Sequence, residues 1–170
     1  MVEKEISVLI VEDDDESRKM MCTLLETVFD LGLVTSSASS AEEAMKKMEA
    51  CRFHFVIADI NLPGVSGLEL CQQIQQTYPI TPVIIVSAMS EIRYAIEAIR
   101  RRAFDYLVKP INVPMLKEAI ERAIKYQEVA MKRYYCEQSI QEDIHDLMLL
   151  DHKLRQVSQP KRALASRLMD

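Results

Sequence analysis

Residues 55–67, FVIADINLPGVSG, join a short apolar run to a polar turn and the start of a helix. The run at 53–58 is apolar at nearly every position, a pattern typical of a strand buried on both faces of a parallel sheet. Asp59 follows the run directly. Ser66 can cap the next helix, and Glu69 stands at capping-box spacing from it. The segment therefore predicts a buried strand that ends in a carboxylate and leads into a helix.

The same alternation of short apolar runs and helical segments extends along most of the chain. The other runs lie at 8–11, 33–35, 83–86 and 106–108, and helical spacing is visible in Glu16–Asp30, Ala41–Ala50, Ser66–Thr77, Glu91–Arg101 and a segment from Pro114 onward. Ser40 can cap the second helix, with Glu43 at capping-box spacing. Five strands alternating with five helices predict an α/β fold, a doubly wound five-stranded parallel sheet.

Polar side chains follow four of the five apolar runs. Glu12, Asp13 and Asp14 follow the first run, Asp59 and Asn61 the third, Ser87 the fourth and Lys109 the fifth. Ligands of such sheets lie at the carboxyl ends of the strands, so we expect these side chains to meet. Converging carboxylates repel one another unless a cation lies between them, and ligation by oxygen alone favours Mg²⁺.

A carboxylate beside such a metal ion can act as a nucleophile toward phosphorus and form an acyl phosphate. The transferred group carries charge on its outer oxygens. Mg²⁺, the Lys109 ammonium and the Ser87 hydroxyl can each stabilise part of that charge. The residues at the strand ends therefore predict Mg²⁺-dependent acceptance of a phosphoryl group by a carboxylate at this edge of the sheet.

Four segments resemble the signatures of the receiver domains of bacterial two-component response regulators. They are VLIVEDD at 8–14, VIADINLPGVSG at 56–67, VIIVSA at 83–88 and FDYLVKP at 104–110. The resemblance covers residues 5 to about 126. It implies a flavodoxin-like sheet with strand order 2-1-3-4-5 and a receiver domain at 1–126. Residues 127–170 lie beyond the resemblance and are predicted to form a helical tail. The resemblance also implies that a sensor histidine kinase or a phosphotransfer protein donates the phosphoryl group, and that the chain dephosphorylates itself slowly.

The resemblance also assigns a role to each matching residue. It implies that Asp59 is the phosphoacceptor, and that Mg²⁺ is held by Asp13 directly, by Glu12 through water, by Asp59 and by the backbone carbonyl of Asn61. It implies further that Ser87 is the switch hydroxyl, that Tyr106 changes rotamer with it, that Lys109 binds the phosphoryl group, and that the bond before Pro110 is cis.

Three positions depart from the pattern of the family. Arg102 and Ile111 stand where Gly and Phe are common, and Ser66 stands where an acid often precedes Gly67. A left-handed helix end at Arg102 would cost about 1 kcal/mol without glycine, unless the helix ends differently. None of the three positions belongs to the phosphorylation chemistry.

Phosphorylation is expected to favour one of two conformations, because a phosphoryl group carries about −2 charge and its oxygens stabilise the conformation in which Ser87 turns inward. The surface formed by the fourth helix, fifth strand and fifth helix would then change shape. Its charges could pair across a two-fold axis in a homodimer. These charges are Arg93, Glu97, Arg100, Asp105 and Lys117.

The segment after Pro114 continues as one amphipathic pattern. Its later apolar positions are Cys136, Ile140, Ile144, Leu147, Leu150, Leu154 and Val157. Intervals of three and four predict a helix or a coiled coil to about residue 158, ended by Pro160. The apolar stripe fits either a dimer seam or a face that folds onto the receiver or onto another protein, so the output is expected to pass through this tail.

Two other classes of function agree less well with these residues. A haloacid-dehalogenase-type phosphohydrolase would need D-x-D-x-T, and the chain has DINLP at 59–63. A phosphorylation-independent adaptor is disfavoured because every chemical position is filled. An enzyme in the ordinary sense is therefore not expected, and the chain is interpreted as a signalling phosphoacceptor.

Charge and hydropathy give two further expectations. Residues 1–126 hold 14 basic and 19 acidic residues, a difference that equals the net charge of −5 for the chain. This balance, and the absence of a helix-turn-helix motif, predict no direct DNA binding. No run of 18 apolar residues is present, so we expect neither a membrane span nor membrane contact, and a cytoplasmic location.

Overall fold

The computed structural model describes residues 5–29 and 32–158, with the backbone alone described at Val28 and at 156–158. Helices and strands alternate throughout. They are β1 Ile6–Val11, α1 Asp15–Val28, β2 Leu33–Ala38, α2 Ala41–Ala50, β3 Phe55–Ala58, α3 Gly67–Thr77, β4 Val83–Ser87, α4 Ile92–Arg100, β5 Asp105–Val108 and α5 Val113–Ser158. All strand pairs are parallel, in the order β2-β1-β3-β4-β5. The predicted fold and strand order are confirmed.

The central strands are buried on both faces, as their continuous apolar runs predicted. Successive side chains of a strand point to opposite faces of the sheet. In β3, Val56 therefore packs into the core beneath α2, α3 and α4, whereas Phe55 and Ile57 pack into the core beneath α1 and α5. Helices thus cover both faces of the sheet.

The parallel register brings the carboxyl ends of the strands to one edge. Val11 lies opposite Ala58 across β1 and β3, and Ser87 lies opposite Val108 across β4 and β5. The residues that follow these strands are Glu12, Asp59, Ala88 and Lys109, and their positions are therefore set by the sheet rather than by the loops alone.

The two predicted helix caps are present, but only one is a reciprocal capping box. Ser66 Oγ accepts from the Glu69 amide, and the Glu69 carboxylate accepts from the Ser66 amide at 3.0 Å. Ser40 Oγ likewise accepts from the Glu43 amide at 3.2 Å. The Glu43 carboxylate, however, accepts from the amide and hydroxyl of Ser39 at 2.8 and 2.9 Å. The partner of the Glu43 carboxylate is thus Ser39, the residue before the cap, and the capping-box spacing alone did not determine it.

Helix α5 begins one residue before Pro114, and its N-terminus is capped by Asn112, whose Oδ1 accepts from the Met115 amide at 3.1 Å. Two compact units divide the chain, one ending at Ala130 and one beginning at Met131. In the first unit, α5 buries Leu116, Ala119, Ile120 and Ala123.

In the second unit, the described large apolar side chains of the predicted stripe are exposed: Ile140, Ile144, Leu147, Leu150 and Leu154. The coiled coil and the domain boundary at residue 126 stay predictions. Pro160 and the closing segment lie outside the described residues. Within the part of the chain that the structure describes, no helix is both long and apolar enough to cross a membrane.

Helix α4 ends in a left-handed residue, one of the two possibilities that the missing glycine had raised. Arg101 caps the helix, and Arg102 adopts φ 61°. The amide of Arg102 donates to the carbonyl of Ile99, and the amide of Ala103 donates to the carbonyl of Ala98. These two hydrogen bonds form a Schellman motif, in which glycine is the usual left-handed residue.

We predict that Arg102→Gly is more stable than Arg102→Ala. Both variants remove the arginine side chain, but only glycine relieves the left-handed strain of about 1–2 kcal/mol, which is partly offset by the greater freedom of its unfolded chain. The expected difference in the free energy of unfolding is about 0.5–1 kcal/mol, measured by urea denaturation. An alanine variant as stable as the glycine variant would contradict this explanation of the helix end.

Candidate functional site

Two buried carboxylates stand side by side at the carboxyl edge of the sheet. Glu12 and Asp59 are each 8% exposed. The Glu12 amide donates to the Ala38 carbonyl at 3.1 Å, and the Asp59 amide donates to the Val11 carbonyl at 2.9 Å. The ends of β1 and β3 are therefore fixed to their neighbours. Asp59 Oδ1 also accepts from the amide of Ile60 at 2.7 Å.

Lys109 joins these two carboxylates. Its Nζ donates to Glu12 Oε2 at 2.7 Å and to Asp59 Oδ2 at 3.1 Å. Its amide donates to the Ser87 carbonyl at 2.9 Å, which continues the pairing of β5 with β4. The Lys109–Pro110 peptide bond is cis. A single ammonium thus lies between two acids that come from different strands.

Burial and charge act on this triad in opposite directions. Burial raises the pKa of Glu12, the hydrogen bond from Lys109 opposes that rise, and the nearby charge of Asp59 adds to it. Burial by itself lowers the pKa of Lys109, but the hydrogen bonds to Glu12 and Asp59 outweigh it, so the pKa is raised overall. Two carboxylates share one ammonium, and the site has an excess of negative charge.

The oxygen donors at this edge fit a magnesium ion by their chemistry. Glu12 and Asp59 are joined through Lys109, whereas Asp13 is exposed on the following loop and Asn61 is exposed two residues after Asp59. Among the described residues, no three or more His, Cys, Asp or Glu side chains form a ready metal cage. Mg²⁺ does not need one, since it keeps several waters and binds one or two carboxylates with phosphate oxygens. The predicted ligand set stays a prediction.

Ser87 and Tyr106 are both tied to the backbone of Met89. Ser87 is fully buried, and its Oγ accepts from the Met89 amide at 3.3 Å. The half-buried Tyr106 donates its hydroxyl to the Met89 carbonyl. Burial raises the pKa of Tyr106, and the charges of Asp59 and Tyr94 add to the effect. A movement of either the hydroxyl or the ring therefore disturbs the same peptide segment after β4.

Asp14 has a structural role that its sequence position did not suggest. Its side chain caps α1 by accepting from the Ser17 amide at 2.7 Å. That hydrogen bond lowers the pKa of Asp14. Asp15 and Glu16 then occupy the first turn of α1, where the helix dipole favours acids.

Gly67 is a supporting residue that the sequence analysis missed. A Cβ at this position would lie 1.8 Å from the backbone oxygen of Asp59 and 2.7 Å from its carbonyl carbon. The Gly67 amide donates to the Ile60 carbonyl at 2.9 Å. The N-terminus of α3 thus packs directly on the backbone of the candidate phosphoacceptor. A glycine at the first position of a helix is the signal that could have revealed this close approach.

The charges expected to pair across a two-fold axis already have partners within the chain. The pairs are Arg93 with Glu91, Glu97 with Arg100 and Arg101, Asp105 with Arg122, and Lys117 with Glu121. Helix α4 instead exposes Ile92, Ile96 and Ile99, which the sequence analysis did not single out. Their spacing of four and three places them on one helical face.

Comparison with known proteins gives one family match over the predicted receiver. The description of that family is response regulator receiver domain, and its model matches residues 8–121. The chain is 37% identical over 118 residues to the response regulator protein PilR of Pseudomonas aeruginosa. It is 35% identical over 124 residues to the DNA-binding transcriptional regulator NtrC of Escherichia coli. These alignments cover 69% and 72% of this chain but 26% of each relative, so the chain spans about a quarter of their length.

Solved structures agree with this match. A response regulator receiver domain protein from Clostridium thermocellum superposes with a TM-score of 0.68 at 29% identity, over 74% of this chain and 98% of that chain. NtrX from Brucella abortus, in complex with ATP, superposes with a TM-score of 0.67 at 30% identity, over 74% of this chain and 28% of that chain.

The prediction of no direct DNA binding is wrong as a statement about such proteins, because a relative is named a DNA-binding transcriptional regulator. The prediction relied on an acidic charge balance and a missing motif. Both describe a region that corresponds to 26% of that relative, and neither reports on output elsewhere in a longer protein.

We predict that Gly67→Ala lowers the free energy of unfolding by about 1–3 kcal/mol, because the added methyl group meets backbone atoms that cannot turn away. Urea denaturation measures the change. The control is Gln73→Ala on the exposed face of α3, which we expect to stay within about 0.5 kcal/mol of the wild type. Equal stabilities of the two variants would contradict the close approach of α3 to Asp59.

We predict that Lys109→Met raises the pKa of Glu12 further, since the variant removes the hydrogen bond and the charge that oppose the rise. The folded protein then binds the Glu12 proton more tightly than the unfolded chain does, so the contribution of Glu12 to the free energy of unfolding grows as the pH falls through that pKa. Carboxyl ¹³C NMR follows the titration. Lys117→Met, which removes a surface ion pair with Glu121, serves as the control and should leave Glu12 unchanged.

Proposed function

Because the chain belongs to the family of response regulator receiver domains, we propose that it accepts a phosphoryl group on Asp59 from a sensor histidine kinase or a phosphotransfer protein. The observation that carries the proposal is the buried Asp59 carboxylate, paired with Lys109 and placed next to Glu12 at the edge of the sheet. Family membership argues against the phosphohydrolase alternative, and the filled site argues against a phosphorylation-independent adaptor.

In the proposed reaction a carboxylate oxygen of Asp59 attacks the phosphorus atom. The bond between phosphorus and the donor's nitrogen or oxygen breaks, its electron pair leaves with the donor, and Asp59 becomes an acyl phosphate. When bound by Glu12, Asp13, Asp59 and the backbone carbonyl of Asn61, Mg²⁺ would supply charge stabilisation for the phosphoryl oxygens.

Lys109 contributes a second positive charge at the same point. In the unphosphorylated chain its ammonium is shared between Glu12 and Asp59. Once Asp59 carries the phosphoryl group, the same ammonium can donate to a phosphoryl oxygen without leaving Glu12, since an ammonium has three donors. The lysine thus binds the reactant and the product with little movement.

Ser87 and Tyr106 are proposed to transmit the change. The phosphoryl oxygens stabilise a conformer in which the Ser87 hydroxyl donates a hydrogen bond to them. This conformer competes with the one in which Ser87 Oγ accepts from the Met89 amide. Tyr106 holds the carbonyl of the same Met89. A change in the conformation of this segment alters the start of α4. The exposed isoleucines of α4 lie on the surface formed by α4, β5 and α5.

The output is proposed to run through the tail of α5, to about residue 158. The relatives named transcriptional regulators support an output in the control of transcription. The exposed apolar stripe of the second unit supports a helical or coiled-coil connection to that output.

The proposal is tested by labelling with acetyl phosphate and Mg²⁺, followed by intact-mass spectrometry. The wild-type chain should gain one phosphoryl group that hydroxylamine removes, as expected for an acyl phosphate, and Asp59→Asn should gain none. The control is Asp105→Asn, which removes a carboxylate on β5 that is paired with Arg122, and it should be labelled like the wild type. An unmodified wild type, or equal labelling of Asp59→Asn, would rule out the proposed function.

A further inference from the structure

Arg18 reaches from α1 back over the loop that carries the acidic pair. Its Nη1 donates to the backbone carbonyl of Glu12 at 2.7 Å and to that of Asp13 at 3.3 Å. Its Nη2 donates to the carboxylate of Asp15. The Arg18 side chain is only 16% exposed, whereas that of Asp15 is 73% exposed. The guanidinium is therefore held against the loop rather than extended into solvent.

The two carbonyls that Arg18 binds belong to neither the sheet nor the helix. Strand β1 ends at Val11 and α1 begins at Asp15, so the peptide groups between them need other partners. A planar guanidinium that donates to two successive carbonyls fixes the orientation of both peptide planes. The orientation of those planes sets the direction in which the Glu12 and Asp13 side chains leave the backbone.

We propose that Arg18 is a positioning residue that orients Glu12 and Asp13 for the divalent cation. The inference rests on the proposed function, because it concerns the same site. Arg18 also places one positive charge within a run of five acids, from Glu12 to Glu16, and lessens the repulsion between them before any cation binds.

Positioning and simple charge predict opposite effects on Mg²⁺ affinity. If Arg18 acted only as a nearby positive charge, its removal would make the site more negative, and Mg²⁺ would bind more tightly. If Arg18 orients the acidic pair, its removal weakens Mg²⁺ binding despite the more negative site. We expect a loss of about tenfold, the lower end of the range for residues that hold metal ligands in place.

The experiment compares Arg18→Met and Arg18→Lys with Lys19→Met. Lys19 is exposed on the same helix, so its variant removes the same charge without touching the loop carbonyls. The Kd for Mg²⁺ is measured from backbone amide shifts of residues 11–16 in ¹H–¹⁵N NMR. The rate of labelling by acetyl phosphate is measured in parallel as a function of Mg²⁺ concentration, and thermal unfolding without Mg²⁺ confirms that each variant folds.

We expect Arg18→Met to bind Mg²⁺ about tenfold more weakly and to approach the wild-type labelling rate when Mg²⁺ is saturating. Arg18→Lys should lose less, since one ammonium can reach one of the two carbonyls. Lys19→Met should bind Mg²⁺ as well as the wild type or more tightly.

Unchanged or tighter Mg²⁺ binding by Arg18→Met overturns the inference, and so does a weakening of equal size in Lys19→Met. If Arg18→Met does not fold, the test uses Arg18→Lys, and unchanged or tighter Mg²⁺ binding by that variant overturns the inference. A wild type that is labelled on Asp59, with variants of equal Kd, refutes the positioning role alone. A wild type that is never labelled refutes the proposed function itself.

Discussion

The ammonium of Lys109 between the carboxylates of Glu12 and Asp59 is the interaction on which the site depends. Its partners lie 97 and 50 positions away in the chain, and they meet because β1, β3 and β5 end at one edge of a parallel sheet. A buried carboxylate costs several kcal/mol of desolvation unless it is paired. One ammonium cannot neutralise two carboxylates, so the negative charge that remains at this edge of the sheet attracts a further cation.

The surroundings of this triad divide into a rigid part and an adjustable part. Asp59 is held in place by the pairing of β3 with β1 and by the close packing of α3 at Gly67. Ser87 and Tyr106, by contrast, hold the Met89 segment through only two hydrogen bonds. A phosphoryl group on Asp59, as proposed above, would therefore act on the structure next to α4, at the segment held by the two hydrogen bonds of Ser87 and Tyr106.

The charged residues on the surface of α4 form ion pairs within the chain, whereas its isoleucines are exposed to solvent. What this surface offers to a partner is therefore apolar area more than unpaired charge. The correction about DNA binding has a related cause. Net charge and local motifs describe the residues in which they occur, and the relatives extend well beyond the region that aligns with this chain.

The sequence by itself determined the elements, their order and the residues at the strand ends, because buried strands, amphipathic helices and caps each leave a local pattern. Five apolar runs and four signature segments were enough to predict the sheet and to select Asp59 and Lys109. Only the tertiary structure decided that Lys109 bridges Glu12 and Asp59, that Gly67 packs on the Asp59 backbone, and that Arg18 binds the loop carbonyls. These contacts depend on which atoms meet in space after folding, and apart from the glycine at the start of α3 no local pattern along the chain records them.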